Sequence, residues 1–273
     1  MSVNAGPAAR TVLVTGAAAG IGREISLAFA RRGCTIGAYD VDEAGLETLR
    51  TEVEALGARV RTARLDVTDA EAFALAVDEL VAETGRLDVL VNNAGVLRAG
   101  RFEELAVGVH DREIDINVKG VMHGLHAGFE ALRHTARAHG AATVVNLASA
   151  SAIYGQAELA NYSATKFYVR GLTEALDLEW ARHGIRMIAM WPLFVQTAMT
   201  DGVSTGTTRS LGIRLTASDV AQAVVAATEP SRLRRALHQV HFPVGAQTKV
   251  LNLGSHFSPA WLTRQVNRRL SGD

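Results

Sequence analysis

The sequence has few of the residues that build disulfide scaffolds, metal sites and nucleic-acid interfaces. Its single cysteine, Cys34, rules out an intramolecular disulfide and any multi-cysteine metal site. Lysine plus arginine and aspartate plus glutamate number 28 each, so the formal net charge is zero. Nucleic-acid-binding domains normally carry a basic excess, and nucleic acid is therefore not expected as a partner. The nine histidines lack the carboxylate or cysteine spacing of a metal site, so no metal is predicted.

Long apolar runs and targeting signals are also missing. The apolar run at 11–19 is too short to cross a bilayer. Residues 1–10 carry little charge and no apolar core, so we expect no signal peptide. These absences predict a reducing, cytoplasmic location. Cys34 stands where a strand is predicted to begin, and we expect it to be a buried structural thiol.

The residues that are present suit closely packed layers of sheet and helix. Hydrophobic residues make up 48% of the chain and aromatics only 5%, with alanine, valine, leucine and glycine prominent. Short apolar runs alternate with amphipathic stretches, which predicts a parallel sheet with helices on both faces. The predicted strands are 11–15, 35–39, 60–65, 89–92, 143–147, 186–190 and 237–241. The predicted helices are 21–32, 43–56, 70–84, 110–134, 160–183 and 217–228.

The chain is long enough for one large α/β domain, and no linker marks a second. We expect a flexible N terminus at 1–10, the domain at 11–245 and a C-terminal extension at 246–273. The least regular stretch, 193–216, has a centre rich in glycine, serine and threonine. Its composition and position predict a mobile lid over a site.

A glycine-rich turn connects the first predicted strand to the first predicted helix. Glycine lets the backbone approach a phosphate closely, and the helix N-terminus supplies free N–H groups. The spacing, G-x-x-x-G-x-G, differs from the G-x-G-x-x-G fingerprint, and a simple packing turn is the alternative. The strand before and the helix after the turn favour pyrophosphate binding. The candidate contacts are Gly16, Ala18, Ala19, Gly20, Ile21 and Gly22.

Asp40 ends the second predicted strand, where a carboxylate can bind ribose hydroxyls and repel a 2′-phosphate. Ala19 offers no cation to offset that repulsion, so NAD is predicted over NADP. A solvated aspartate that begins a turn is the alternative interpretation. Asp66 and Val67 end the third strand and are candidates to hold the adenine, although Asp66 is equally suited to cap the turn that follows it.

Tyr162 and Lys166 are four residues apart in a predicted helix, so they share one helical face. A tyrosine normally has a pKa near ~10, and a fixed cation lowers it by favouring the phenolate. A pKa of ~7 would take about 4 kcal/mol of differential stabilisation. A tyrosine tuned in this way can exchange a proton with an alcohol or carbonyl oxygen. The pair alone proves little, because this spacing also occurs by chance.

Several motifs, taken in chain order, resemble the short-chain dehydrogenase/reductase family over about residues 11–245. They are 15–22, Asn-Asn-Ala-Gly at 92–95, Asn-Val-Lys-Gly at 117–120, Ser149, Tyr162, Lys166 and 192–197. The resemblance implies a single Rossmann-like, doubly wound domain with seven parallel strands in the order 3-2-1-4-5-6-7. It also implies transfer of a hydride between NAD(P) and an alcohol or ketone.

The resemblance also implies roles for individual residues. Tyr162 would be the acid/base, and Lys166 would lower its pKa and hold the nicotinamide ribose. Ser149 would bind the reacting oxygen, and Asn117 would hold a water that links Lys166 to solvent. Further implied cofactor contacts are Asn93, Ala94, Gly95, Pro192, Val195 and Thr197. Leu193 stands where the family often has glycine, so we expect a bulkier wall beside the nicotinamide.

The predicted substrate pocket is mostly apolar, which suggests a lipophilic secondary alcohol or ketone. Its candidate contacts are Ser149, Ser151, Ile153, Tyr154, Leu159 and Leu193. An NADP-dependent carbonyl reductase and a non-catalytic NAD-sensing protein are the alternative functions. Apolar residues on more than one face of the helices at 110–134 and 160–183 suggest a homodimer or homotetramer. The amphipathic tail at 258–270 favours packing on a subunit, with weak contact to an anionic membrane surface as the alternative.

Overall fold

The computed structural model describes residues 9–200, 205–229 and 238–257, together with 259, 261, 264–265 and 268–269. The strands are β1 (Thr11–Thr15), β2 (Thr35–Asp40), β3 (Val60–Arg64), β4 (Val89–Asn92), β5 (Ala142–Leu147), β6 (Ile185–Pro192), β7 (Val195–Gln196), β8 (Leu215–Thr216) and β9 (His241–Val244). The helices are α1 (Gly20–Ala30), α2 (Glu43–Ala55), α3 (Ala70–Thr84), α4 (Val107–Ile114), α5 (Gly120–His139), α6 (Ala160–Trp180), α7 (Gly206–Leu211), α8 (Ala217–Thr228) and α9 (Ala246–Phe257).

Seven strands form one parallel sheet in the order β3-β2-β1-β4-β5-β6-β9. The predicted fold class and strand order are confirmed, with β9 as the seventh strand. Side chains alternate between the two faces of the sheet, as a strand requires. Val12 and Val14 of β1 join a buried cluster with α1, α2 and α8, while Leu13 joins a second cluster with α3, α5 and α6.

The last strand of the sheet is displaced from the position predicted for it. The sequence suggested 237–241, whereas β9 runs from His241 to Val244 and pairs with the end of β6. Leu237 lies outside the described residues. β9 includes Pro243, which cannot donate to a ladder, but β9 is an edge strand and edge positions accept proline.

Two other segments differ from their predictions. The helix expected at 110–134 is two helices joined by a π-helical turn, Asp115–Lys119, and α5 continues to His139. The segment at 193–216 is more regular in its described part than expected, because it contains β7, α7 and β8, and its role as a mobile lid stays a prediction. Thr205 and Thr208 form a reciprocal capping box at the start of α7, and β7 pairs with β8.

The ends of the predicted domain are partly described. Of the N terminus predicted at 1–10, only Ala9 and Arg10 are described, and the tail at 258–270 is largely outside the described residues. The extension predicted at 246–273 begins with α9, whose Leu251 packs against an apolar cluster of the domain. Within the described residues, no helix combines the length and apolarity that crossing a bilayer requires.

A chain of buried polar side chains connects the middle of the sheet to α6. Asn92 of β4 donates from Nδ2 to Asn146 Oδ1 of β5 at 2.9 Å. Asn146 Nδ2 then donates to Thr173 Oγ1 of α6 at 3.0 Å. Because all three side chains are at most 2% exposed, these bonds are shielded from water and fix α6 against the sheet.

Candidate active site

A cavity of about 340 Å³ lies where the carboxyl ends of the strands meet. Open parallel sheets bind their ligands at this edge. The cavity brings together most of the residues that the sequence singled out. Those that line it are Gly16, Ala19, Gly20, Ile21, Asp40, Asp66, Val67, Asn93, Ala94, Gly95, Ser149, Ser151, Tyr162, Lys166, Pro192, Leu193, Val195 and Thr197.

The glycine turn leaves space and free donors at the start of α1. Gly16 has a φ of +64°, and a Cβ on Gly22 would lie 2.1 Å from the Gly16 carbonyl oxygen. The N-cap residue, Ala19, gives no side-chain cap, and the first turn of α1 holds no acidic side chain. The N–H groups at this helix end are therefore available to an anion, which fits the pyrophosphate of a dinucleotide.

Asp40 is held at the mouth of the cavity by the main chain. Its Oδ2 accepts from the N–H of Ala18 at 3.0 Å, and its Oδ1 accepts from the N–H of Asp42 at 3.1 Å. The glycine turn thus fixes the carboxylate of a residue that lines the cavity. Ala18 itself does not line the cavity; it shapes the site through this bond, and Gly22 does so through its close packing.

Asp66 both lines the cavity and caps a turn, so its two interpretations are compatible. Its Oδ1 accepts from the N–H of Thr68 at 3.0 Å and from the Thr68 hydroxyl at 2.8 Å. These bonds hold the pKa of Asp66 below its usual value, and the nearby Arg112 guanidinium contributes in the same direction. Arg112 and Val41 also line this end of the cavity, and neither was predicted from the sequence.

Two asparagines hold the loop that follows β4. Asn93 donates from Nδ2 to the carbonyl oxygens of Thr15 at 2.8 Å and Gly16 at 3.1 Å, which ties this loop to the glycine turn. Asn117 lies in the π-helical turn, outside the cavity lining, and exchanges two 2.8 Å bonds with the main chain of Val96. Its side chain is engaged there, and the predicted water link to Lys166 stays a prediction.

Ser149, Tyr162 and Lys166 converge at the other end of the cavity. Ser149 follows β5, and Tyr162 lies in the first turn of α6 with Lys166 one turn later, as their spacing predicted. Lys166 Nζ lies 5.5 Å from the Tyr162 ring centroid and donates to the carbonyl oxygen of Leu147 at 2.8 Å. The Ser149 hydroxyl oxygen accepts from the N–H of Ser151 at 3.1 Å.

Burial shifts the pKa of Tyr162 in the direction opposite to the one that the sequence suggested, and it also shifts the pKa of Lys166. Desolvation raises the pKa of Tyr162 to about 12, partly opposed by hydrogen bonding to Ser149, and the Glu113 carboxylate raises it further. Desolvation lowers the pKa of Lys166 to about 8, while Glu113 opposes that fall. The expected lowering of the Tyr162 pKa by Lys166 is therefore not seen. Lys166 directs its ammonium to the Leu147 carbonyl oxygen, and desolvation outweighs the hydrogen bond with Ser149, although Tyr162 keeps part of its surface exposed at the cavity.

Glu113 is a feature of the site that the sequence did not reveal. It lies on α4 and is only 2% exposed. Its Oε1 accepts from the N–H of Arg98 at 3.0 Å, and its Oε2 accepts from Asn161 Nδ2 at 2.8 Å. The only sequence signal is an acidic residue one helical turn before Asn117, which resembles an ordinary solvent-facing residue.

The substrate end of the cavity has mostly apolar walls, with contributions from Leu97, Leu193 and Phe194. Leu193 is 7% exposed and has no positive φ, so its side chain occupies the wall beside Pro192. Three predicted substrate contacts, Ile153, Tyr154 and Leu159, are not part of the described lining, and their contact with a substrate stays a prediction. Ile153 and Leu159 instead pack in the apolar cluster of the wall, and Tyr154 is 7% exposed.

Among the described residues, no group of three or more histidine, cysteine, aspartate or glutamate side chains is arranged to hold a metal ion. Cys34 is buried, as predicted, and burial raises the pKa of its thiol.

The fold and the site together define an α/β oxidoreductase with a dinucleotide-binding architecture. The family model of the short chain dehydrogenases matches residues 10–208, and the chain belongs to this family. The 3-oxoacyl-[acyl-carrier-protein] reductase FabG of Thermotoga maritima is 35% identical over 192 residues, which cover 70% of this chain and 76% of that protein. The D-threitol dehydrogenase of Mycolicibacterium smegmatis is 35% identical over 190 residues, or 70% of this chain and 72% of the relative.

Solved structures show the same architecture. The 3-ketoacyl-(acyl-carrier-protein) reductase from Brucella melitensis, complexed with NADH, superposes with a TM-score of 0.79. It is 26% identical in sequence, and the match covers 88% of this chain and 98% of that chain.

Proposed function

We propose that the protein transfers a hydride between NAD(H) and a lipophilic secondary alcohol or ketone, with Tyr162 as the acid/base. The observation that carries the proposal is the convergence of Ser149, Tyr162 and Lys166 at one end of a cavity whose other end is an uncapped helix N-terminus. When bound, the nicotinamide accepts or supplies the hydride. The chain then has to bind the cofactor, orient the substrate and move one proton.

In this proposal each group at the reacting end has a separate task. Tyr162 exchanges a proton with the substrate oxygen, and Ser149 donates a hydrogen bond to the same oxygen as charge develops on it. Lys166, held by Leu147, supplies the positive charge of this end and reaches the nicotinamide ribose. The contacts with the carboxamide are assigned to Val195 and Thr197, which line the cavity beside Pro192.

Support for a lipophilic substrate comes from the walls of the cavity. Leu97, Leu193 and Phe194 give this end little hydrogen-bonding capacity. Arg98 and Arg209 are exposed and are not part of the described lining, so neither supplies a cation for a charged substrate group. The two relatives named above act, by their names, on an acyl thioester ketone and on a polyol, so they do not choose between substrate classes. Turnover confined to polyols or phosphorylated sugars would contradict the apolar assignment.

Replacing Tyr162 separates an enzyme from a non-catalytic NAD-sensing protein. Tyr162→Phe removes the proton donor and keeps the ring, so we expect turnover to fall by about 10²- to 10⁴-fold. NADH binding, followed by its fluorescence, should stay within a few-fold of wild type. A wild-type protein that binds NADH but oxidises no member of a broad alcohol panel would support the sensor instead.

The preference for NAD rests on Asp40 and is tested by comparing cofactors. Asp40→Asn removes the charge and keeps the shape, so we expect kcat/KM for NAD to fall by about 10- to 100-fold. The loss for NADP should be smaller, because repulsion of its 2′-phosphate is relieved as well. Asp78→Asn, an exposed carboxylate on α3, is the matched control. If wild type prefers NADPH, the protein is the NADP-dependent carbonyl reductase that stands as the alternative.

A further inference from the structure

Gln156 lies between β5 and α6 and lines the substrate end of the cavity beside Ser151 and Tyr162. Its main chain is fixed on both sides. The N–H donates to Ser163 Oγ at 3.1 Å, and the carbonyl oxygen accepts from the N–H of Leu159 at 3.2 Å. The fold therefore determines where this side chain enters the cavity wall.

The side-chain amide of Gln156 is buried without a protein partner. The residue is 4% exposed, and neither Oε1 nor Nε2 makes a hydrogen bond within the described part of the chain. Buried polar atoms are almost always paired, because leaving one unpaired costs free energy. Tyr154 also has a buried hydroxyl without a described partner, but it does not line the cavity. Gln156 lines the cavity, but both amide atoms are closed off from it in this side-chain conformation, so pairing with an occupant of the cavity requires the side chain to rotate toward it.

The chemistry of the amide limits what that partner is. It offers donors and an acceptor but no charge, so a hydroxyl matches both of its ends and a carbonyl oxygen matches its N–H₂. An anionic group would need a cation. The cation that lines this end of the cavity, among the described residues, is Lys166, and it already acts with Tyr162 in proton transfer. A neutral oxygen fits the site, and a carboxylate or phosphate does not.

We propose that Gln156 determines specificity by binding a second, neutral oxygen of the substrate, either a hydroxyl or a carbonyl. This inference rests on the proposed dehydrogenase function and narrows its substrate class. The substrate is an otherwise apolar secondary alcohol or ketone that carries another oxygen within reach of the Gln156 amide.

The test compares cyclohexanol with trans-1,2-, 1,3- and 1,4-cyclohexanediol as substrates in the presence of NAD. We expect wild type to favour at least one diol over cyclohexanol in kcat/KM by about tenfold to a hundredfold. Gln156→Met keeps the side-chain length and removes both polar atoms, so this ratio should fall to about one. Ala157→Ser, an exposed neighbour in the same turn, is the control and should keep the wild-type ratio. Equal kcat/KM for all four alcohols in wild type, or a ratio that survives in Gln156→Met, would overturn the inference.

Two further measurements separate this inference from folding defects and from the proposed function. The melting temperature of Gln156→Met without ligand should equal or exceed that of wild type, because the substitution removes unpaired polar atoms; a fall would indicate a structural amide. Binding of the same four alcohols is then measured in Tyr162→Phe protein saturated with NAD. A diol preference that Gln156→Met abolishes in this background supports the inference even if wild type shows no turnover, which would count against the proposed function alone. Equal binding of the four alcohols overturns the inference.

Discussion

At Tyr162 and Lys166, burial and charge act in opposite directions. A cation near a phenol favours the phenolate, yet desolvation penalises both charged forms, and in this protein it raises the pKa of Tyr162 and lowers that of Lys166. The free protein therefore holds a protonated phenol at neutral pH. Such a phenol is ready to donate a proton to a carbonyl oxygen, which favours ketone reduction over alcohol oxidation near neutrality.

The raised pKa of Tyr162 predicts how the two directions depend on pH. Oxidation needs the phenolate, and a raised pKa means that the phenolate appears only as the pH rises. We expect kcat/KM for oxidation to increase between about pH 7 and 10, by up to about tenfold per unit, while reduction stays nearly level over the lower part of that range. Initial rates in both directions check this. An oxidation profile that is already flat at pH 7 would show that the bound cofactor restores the lowered pKa that the sequence suggested.

A substitution at Glu113 tests how a nearby charge affects the pKa values of Tyr162 and Lys166. Its carboxylate raises the pKa of both Tyr162 and Lys166. Glu113→Gln should therefore lower both values and move the rise in oxidation rate to lower pH. Glu103→Gln, an exposed residue of the 3₁₀ turn before α4, is the matched control and should leave the profile in place. An unshifted profile in Glu113→Gln would contradict the assignment.

At the scale of elements, one turn connects three separate segments of the chain. Glu158 has a φ of +63°, which side chains other than glycine rarely adopt. Its carbonyl oxygen accepts from the N–H of Gly100 at 2.9 Å, and its Oε2 accepts from the N–H of Gly206 at 3.0 Å. The loop after β4, the turn before α6 and the start of α7 are thus joined through a single residue.

This arrangement predicts that Glu158 holds α7 in place. Glu158→Ala removes a charged acceptor, whose hydrogen bond is worth about 1.5–3 kcal/mol. Amide hydrogen exchange in Gly206–Leu211 should therefore accelerate by at least about tenfold. Glu158→Gln keeps an acceptor oxygen and should retain most of the protection. Unchanged exchange in the alanine variant would show that the capping box of Thr205 and Thr208 holds α7 without help.

At the scale of the whole molecule, large apolar side chains remain exposed on two long helices. Met122 of α5 is 38% exposed, and Phe167 and Leu178 of α6 are 41% and 81% exposed. Such exposure on neighbouring helices is typical of a surface that another subunit covers. We predict a homodimer or homotetramer in sedimentation velocity. Phe167→Glu combined with Leu178→Glu should reduce the mass, whereas Leu75→Glu, at an exposed site on α3, should not. A monomeric wild type would contradict the prediction.

How far the sequence predicted the molecule depends on which interactions are local. The bounds of α3 and α8 match their predictions to the residue, and in the structure Asp69 and Thr216 cap these helices from adjacent positions. The π-helical turn before α5 was not predicted, because the apolar pattern continues through it. Neither the unpaired amide of Gln156 nor the burial of Glu113 leaves a local trace. The direction of the Tyr162 pKa shift was also missed, since it depends on how much water the folded chain excludes.

The chain of buried polar side chains from Asn92 through Asn146 to Thr173 also affects how the substrate selectivity of such a protein can change. It anchors the helix that carries Tyr162 to the middle of the sheet. New selectivity can therefore arise by remodelling the wall while the proton-transfer machinery keeps its alignment. A library confined to 150–159, Leu193 and Phe194 would explore new substrates with little risk to the underlying chemistry.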